Sequence, residues 1–368
     1  MRATGRAAVL ALLLAVVGGC GDAGPAGTAA TTAATPTPDG GPAADDDAAT
    51  DVTFPSGGLN LTGDLRLPDG AGPHPGVVLV HGSGPLARDG AVPGQLAMTF
   101  ARPVTVLADL AAGLRDAGYA VLTYDKRTCG PSDGCAGNGY PRPPDDLTID
   151  ALVGDAQAAV EHLRSLPEVR ADAVAVAGHS QGASFVPGML LDDPQLAAGI
   201  MLSAPYDPVD QLLARQADTV EEIVAGMVPR PPGMDAERAR LRRLARSVAR
   251  LRSGAGADGD ALGGATAGFW RSWLRVSDGV PQLAQQAEQP VLVLTGGADT
   301  NVGAVQTSQW REALTADGDA VVQLDCVSHA LNCVGADDPL AVDPAGIDDH
   351  VDPRVVDEIA GFLDGAVK

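Results

Sequence analysis

The sequence predicts an α/β fold, with a mostly parallel sheet, helices on both of its faces and an inserted helical segment. Three observations carry this reading. Short, uninterrupted apolar runs recur along the chain. Between them lie longer stretches with apolar residues at helical spacing. One segment, 207–289, keeps the helical spacing but shows no clear strand. Strands buried on both faces read as continuous apolar runs, and their alternation with helices is the pattern of βαβ units.

The elements follow in order. Thr53 to Pro68 holds short alternating segments around a glycine turn, as a β-hairpin does. Gly76-Val77-Val78-Leu79-Val80 and Ala120-Val121-Leu122-Thr123-Tyr124 are the first two buried strands. Ala173 to Ala177, Gly199 to Leu202, Val291 to Thr295 and Ala320 to Leu324 supply four more. Helices are predicted over Val104 to Ala117, Leu147 to Leu166, Ala183 to Leu191, Gly303 to Leu314 and Pro353 to Leu363. In the insertion, Val209, Leu212, Leu213, Val220, Ile223, Val224 and Met227 fall at helical spacing. So do Leu241, Leu244, Val248 and Leu251, set among Arg238, Arg240, Arg242, Arg243, Arg246, Arg250 and Arg252. The insertion is expected to sit over the sheet as a cap. Its arginine face reads first as a solvated, salt-bridged surface and second as a means of recruiting an anionic substrate.

The first residues read as an address. Arg2 and Arg6 precede an apolar run from Ala7 to Val17, too short to span a membrane as a stable helix, and Gly18-Gly19-Cys20 closes it. That ending resembles a bacterial lipobox, in which the cysteine is lipidated and becomes the mature N-terminus. Residues 21–50 are rich in Ala, Gly, Thr, Pro and Asp, and read as a flexible tether. The expected organisation is a signal peptide over 1–19, a lipid-anchored linker over 20–50 and a folded domain over 51–368. Such a protein is exported and held at the outer face of the cell membrane by its N-terminal lipid alone.

Charge narrows the function. With 25 Lys+Arg against 47 Asp+Glu, the net charge is −22. That argues against nucleic acid, whose phosphates call for a basic face. The acidity is uneven: 207–289 carries 11 arginines and 11 acids and is neutral, so the acidic excess lies on the core and the tether. Besides Cys20 there are Cys129, Cys135, Cys326 and Cys333. Four cysteines allow three pairings, and the two close pairs point to local disulfides in an oxidising compartment. No C-x-x-C spacing is present, and no metal site is expected.

Two stretches match G-x-S-x-G, Gly178-His179-Ser180-Gln181-Gly182 and Gly130-Pro131-Ser132-Asp133-Gly134. A nucleophile elbow needs a buried strand before it and a helix after it. Val174-Ala175-Val176-Ala177 leads into the first match, whereas the second is surrounded by helix-breaking glycines and prolines. Ser180 is therefore the candidate nucleophile. A serine hydroxyl needs a base, and the base an orienting acid. His329 and Asp299 each follow a predicted strand by a short loop, at the carboxyl edge where parallel sheets carry their sites. His350 and Asp207 are the runners-up, while His81 and His179 flank turns and are expected to orient loops. The tetrahedral intermediate needs two backbone donors. Gln181, just after the nucleophile, and Ser83, in His81-Gly82-Ser83-Gly84, are the candidates for this oxyanion hole.

Together, His81-Gly82-Ser83-Gly84-Pro85, Arg88-Asp89-Gly90, Tyr124-Asp125-Lys126-Arg127, the elbow, Gly297-x-Asp299 and a late histidine resemble bacterial α/β-hydrolase carboxylesterases. They are also similar to the hydrolase domains of prolyl-oligopeptidase-like serine peptidases. The resemblance implies an α/β-hydrolase fold, a Ser-Asp-His site, no cofactor and a small-molecule ester substrate. One departure is Thr128-Cys129 where the family usually has glycine, which implies an altered loop beside the site. In that fold the strands preceding Cys129 and Cys326 lie about five spacings, roughly 24 Å, apart. Local bridges, Cys129–Cys135 and Cys326–Cys333, are therefore favoured, and the second encloses His329. Trp270 and Trp273, one helical turn apart in the cap, are candidates for lining an acyl pocket, with packing of the cap as the alternative. Two other readings are a serine peptidase and a non-catalytic envelope binding protein.

Overall fold

The computed structural model describes residues 49–91, 104–141, 146–225, 233–335 and 348–367. The expected signal peptide, Cys20 and nearly all of the tether lie outside the described residues. Among the described residues, no helix is long and apolar enough to cross a membrane.

Among the described residues the sheet has eight strands. A hairpin of β1 (Thr50–Ser56) and β2 (Leu59–Arg66) opens it, followed by β3 (His74–Val80), β4 (Ala120–Tyr124), β5 (Val169–His179) and β6 (Gly199–Leu202). A two-stranded ribbon in the insertion, β7 (Ala261–Leu262) and β8 (Ala265–Thr266), stands apart from it. β9 (Val291–Gly296) and β10 (Ala320–Leu324) complete the sheet, whose order is β1-β2-β4-β3-β5-β6-β9-β10. β2 runs antiparallel to β4, and every later pairing is parallel. This is the α/β-hydrolase arrangement.

Side chains alternate across each strand, so each strand feeds two cores. Val78, Val80, Val174, Val176, Val291 and Val293 belong to one apolar cluster. Val77, Leu79, Ala175, Ala177, Leu292 and Leu294 belong to the other. Double burial is why these segments read as unbroken apolar runs. The second face is covered by α1 (Val106–Asp116) and by the last helix (Pro353–Ala366), through Leu110, Leu114, Ile359 and Leu363. The first face is covered by α2 (Ile149–Arg164) and α3 (Val186–Asp192) together with the insertion. Thr148 caps α2 by accepting the Ala151 N–H.

The helix expected from Ala183 begins later. A single 3-10 turn over Gly182–Ser184 comes first, and α3 starts at Val186 with Pro187 in its first turn, where a missing N–H costs nothing.

The insertion comprises α4 (Val209–Ala225), α5 (Met234–Leu251), α6 (Ala267–Asp278) and α7 (Val280–Gln286). Leu241, Leu244, Val248 and Leu251 are all buried, as are Val209, Leu212, Leu213, Val220 and Val224. Met227 lies outside the described residues. The arginine face is laced with ion pairs: Arg240 with Glu237, Arg242 with Glu221, and Arg252 with both Asp210 and Asp278. The β7–β8 ribbon departs from the expected absence of strands. Its turn is Gly263-Gly264, both at positive φ (59° and 90°), a conformation side chains disfavour but a tight hairpin requires. α8 (Ala304–Ala313) and α9 (Pro353–Ala366) follow the last two strands.

Candidate active site

Every candidate group sits just past the carboxyl end of a parallel strand. Ser180 follows β5, the His81-Gly82-Ser83 loop follows β3, Asp299 follows β9 and His329 follows β10. Parallel strands end together at one edge, so residues far apart in sequence meet there.

The turn holding Ser180 is tight because two glycines permit it. A β-carbon on Gly178 would lie 2.3 Å from the Gly182 carbonyl oxygen. One on Gly182 would lie 2.6 Å from the carbonyl oxygens of both Val80 and His81. The turn can therefore press directly against the end of β3. Ser180 itself is held at φ 54°, a strained conformation for a residue with a side chain, and its N–H donates to the Leu202 carbonyl at 2.9 Å. Ser132, in the other match, lies in a 3-10 turn over Pro131–Asp133.

The structure brings Ser180, His329 and Asp299 together. His329 Nε2 is 3.0 Å from Ser180 Oγ, and its Nδ1 is 2.9 Å from Asp299 Oδ2. All three are buried. Burial works to raise the Asp299 carboxyl, but His329 beside it and the N–H groups of Val302 and Asn301 hold it below its ordinary value. Those N–H groups donate to the other oxygen, Oδ1, at 3.0 and 2.8 Å. The carboxylate thus presents one committed oxygen to the imidazole. Of the runners-up, Asp207 is ion-paired to Arg215. His350 is exposed and lies 3.2 Å from Asp109.

Two further histidines brace the loops. His179 Nε2 donates to the backbone carbonyl of His329 at 2.7 Å. Burial, reinforced by the nearby His329, pushes its pKa down to about 4. His81 donates to the Tyr124 carbonyl, and burial with the Lys126 charge pushes it down to about 3. Both imidazoles are neutral at ordinary pH.

The His329 loop is closed at its base by the Cys326–Cys333 disulfide, with α-carbons 4.9 Å apart. Ser328 donates its N–H to the Asn332 carbonyl at 2.9 Å, and Val327 bridges to Cys333. Cys326 and Leu331 on either side of His329 adopt positive φ, 59° and 64°. The second disulfide, Cys129–Cys135, spans α-carbons 5.7 Å apart and closes the loop after Arg127. That loop adjoins the site through Lys126, whose carbonyl accepts the Cys129 N–H at 2.7 Å.

The two proposed oxyanion donors lie on adjoining segments. Gln181 is buried in the elbow. Gly82, just before Ser83, packs on it: a β-carbon at Gly82 would lie 3.3 Å from both Ser180 Cβ and His179 Nδ1. Sequence reasoning gave no role to Lys126, which is buried between them. Its Nζ donates to the Gly82 carbonyl at 2.6 Å and to Gln181 Oε1 at 2.8 Å. No local pattern signals this, since it depends on β4 lying beside β3.

Trp270 and Trp273 are buried and stack on each other, with ring centroids 5.4 Å apart. Trp270 donates its indole N–H to the Leu262 carbonyl at 2.8 Å. Both belong to the apolar cluster joining the cap to the sheet.

The comparisons agree with this architecture. Esterase EstD of Thermotoga maritima is 28% identical over 307 residues, which is 82% of this chain. The chain spans 65% of that relative's length. Among solved structures, the α/β-hydrolase GrgF from Penicillium sp. sh18 matches with a TM-score of 0.53 at 18% identity, covering 87% of this chain and 99% of its own. The Pyrococcus furiosus esterase Pf2001 matches at 0.51 and 17% identity, over 90% and 97% of the two chains. Est1E from Butyrivibrio proteoclasticus, seen with ferulic acid, matches at 0.52 and 18%, over 86% and 99%. At such identities these three speak to the fold. The Hydrolase_4 family model, described as serine aminopeptidase S33, matches residues 100–331, more than half of the chain, and the protein belongs to that family of α/β-hydrolases.

Proposed function

We propose that this chain is a serine hydrolase of carboxylic esters, working through an acyl-enzyme on Ser180. The observation that supports it best is the continuous line Asp299–His329–Ser180, with contacts of 2.9 and 3.0 Å. In this reading Ser180 Oγ attacks the ester carbonyl carbon while His329 Nε2 takes its proton. Asp299 holds the imidazole in the right tautomer and stabilises the imidazolium that forms. The oxyanion is met by the N–H groups of Ser83 and Gln181. The carbon–oxygen bond to the alcohol then breaks, and His329 returns the proton to the leaving oxygen. Water repeats the sequence on the acyl-enzyme, releasing the acid and restoring Ser180. The substrate is a small-molecule ester, in keeping with the similarity to Esterase EstD.

A second reading, a serine peptidase, is favoured by the family's own description as a serine aminopeptidase. A matched panel of p-nitrophenyl esters and aminoacyl nitroanilides separates the two. The esterase reading expects turnover of the esters, lost in Ser180→Ala, and little of the anilides. Preferential anilide cleavage would reverse it.

We further propose that the protein is exported and held at the membrane by a lipid on Cys20, through the tether 21–50. Metabolic labelling with a radioactive fatty acid tests this. Label is expected on the wild type and not on Cys20→Ser, and label on both would refute it.

A further inference from the structure

The structure assigns Lys126 as the positioning residue of the oxyanion hole, a role that rests on the esterase reading of Ser180. Lys126 lies just past β4, in the Tyr124-Asp125-Lys126-Arg127 run, and is buried. Its ammonium joins two segments. One bond goes to the carbonyl of Gly82, at 2.6 Å. The other goes to the side-chain oxygen of Gln181, at 2.8 Å. Those are the segments that carry the two proposed donors, the N–H of Ser83 and the N–H of Gln181.

The Gly82 bond matters most. The Gly82 carbonyl and the Ser83 N–H are the two ends of one peptide unit. Among the described residues the only cis peptide is Gly72–Pro73, so this unit is trans. In a planar trans peptide the C=O and N–H point in opposite directions. Drawing the oxygen toward Lys126 therefore aims the Ser83 N–H away from Lys126. A positive charge at the oxygen end also polarises the unit, making the N–H a stronger donor. The effect is greatest in a buried site, where water does not screen it.

Gly82 is pressed onto the elbow, where a β-carbon would come 3.3 Å from Ser180 Cβ, a tight contact. The loop after β3 and the nucleophile turn are thus in direct contact, and Lys126 ties them from behind. The Gln181 bond holds the residue whose backbone N–H is the second donor. Fixed donors cost no reorganisation when charge develops on the substrate oxygen, which is the condition for strong transition-state stabilisation. Lys126 does not touch the substrate in this account. It acts through the peptide it holds.

The test compares Lys126→Met, Lys126→Gln and Lys126→Arg with the wild type, using a p-nitrophenyl ester and a boronic acid that forms a tetrahedral adduct on Ser180. Lys126→Met is expected to lower kcat about 10- to 100-fold, a fraction of the effect of losing an oxyanion donor outright, with KM nearly unchanged. Its boronic acid inhibition constant is expected to rise by a similar factor. Lys126→Gln keeps a donor without the charge and is expected to fall between, while Lys126→Arg recovers part of the loss. Full kcat in Lys126→Met would overturn the assignment. So would a lost kcat with unchanged boronic acid affinity, the signature of a merely structural role. A measurement on the wild type guards against misfolded variants. The Lys126 Nζ resonance is expected to shift when the boronate adduct forms, and a silent resonance would overturn the assignment. A wild type that neither hydrolyses esters nor binds the boronic acid would overturn the esterase reading as well, whereas an active wild type with an indifferent Lys126 overturns this inference alone.

Discussion

His179, the residue before the nucleophile, donates its ring N–H to the backbone carbonyl of His329 at 2.7 Å, so the elbow and the proposed base loop are bonded to each other directly. The two rings also pack, with centroids 5.1 Å apart. This contact fixes the height of the His329 loop over Ser180. A buried hydrogen bond of this kind is worth about 1–3 kcal/mol when one partner is left unsatisfied. His179→Ala is expected to lower kcat by about tenfold or more, through misplacement of His329. Steady-state kinetics beside a thermal melt checks this, and an unchanged kcat would show that the loop is held without His179.

The same burial makes stability depend on pH. His179 is pushed down to about 4 and His81 to about 3. As pH falls below about 6.5, the unfolded chain takes up protons at these residues and the folded chain does not. Their contribution to stability is therefore complete above that pH and is lost on acidification through the window down to about 4 for His179 and about 3 for His81. Each imidazole contributes at most about 1.4 kcal/mol per pH unit. Urea unfolding is expected to show a loss of about 2–3 kcal/mol between about pH 7 and about pH 5.5, with a shallower slope in His81→Asn. A flat profile across that range would contradict the neutral assignment.

Gly182 tests the packing of the elbow. A methyl group there would lie 2.6 Å from the carbonyl oxygens of Val80 and His81, neither of which can rotate away. Gly182→Ala is expected to cost about 2–3 kcal/mol of stability. Turnover is expected to fall by about 100-fold, since the turn must shift to admit the methyl. Chemical denaturation and kcat on the same preparation measure both effects, and a variant with full activity would show that the turn has slack.

The legibility of the sequence differs from element to element, for physical reasons. Strands such as β5 and β9 are buried on both faces, so their apolar runs are continuous and visible. The elbow is visible because Gly178 and Gly182 flank Ser180 and a strand precedes it. The β7–β8 ribbon was not visible, because strands of two residues carry no period, although Gly263-Gly264 marks its turn. Trp270 and Trp273 show a helical spacing that pocket and core share, so spacing alone does not separate the two roles; both are buried in the cap's cluster. Lys126 belongs to the Tyr124-Asp125-Lys126-Arg127 run, whose pattern alone points to no function for it. Its partners Gly82 and Gln181 lie on other strands' loops, and only the sheet order brings the three together.

The Cys326–Cys333 bridge restrains the loop that carries His329. On the chain-entropy account a loop this short adds about 2–3 kcal/mol. Cys326→Ser with Cys333→Ser is expected to lower the melting temperature and kcat together. Peptide mapping without reductant is expected to join Cys326 to Cys333. A fragment joining Cys129 to either of them would contradict the arrangement.

Ser180, lined up with His329 at 3.0 Å, is the proposed nucleophile. A fluorophosphonate reacts with an activated serine and leaves a stable phosphonyl adduct. Intact-mass measurement followed by peptide mapping reads its position directly. A single adduct is expected on Ser180, with none on Ser180→Ala and strongly slowed labelling in His329→Ala. An adduct on Ser132 or another residue, or equal labelling of Ser180→Ala, would contradict it.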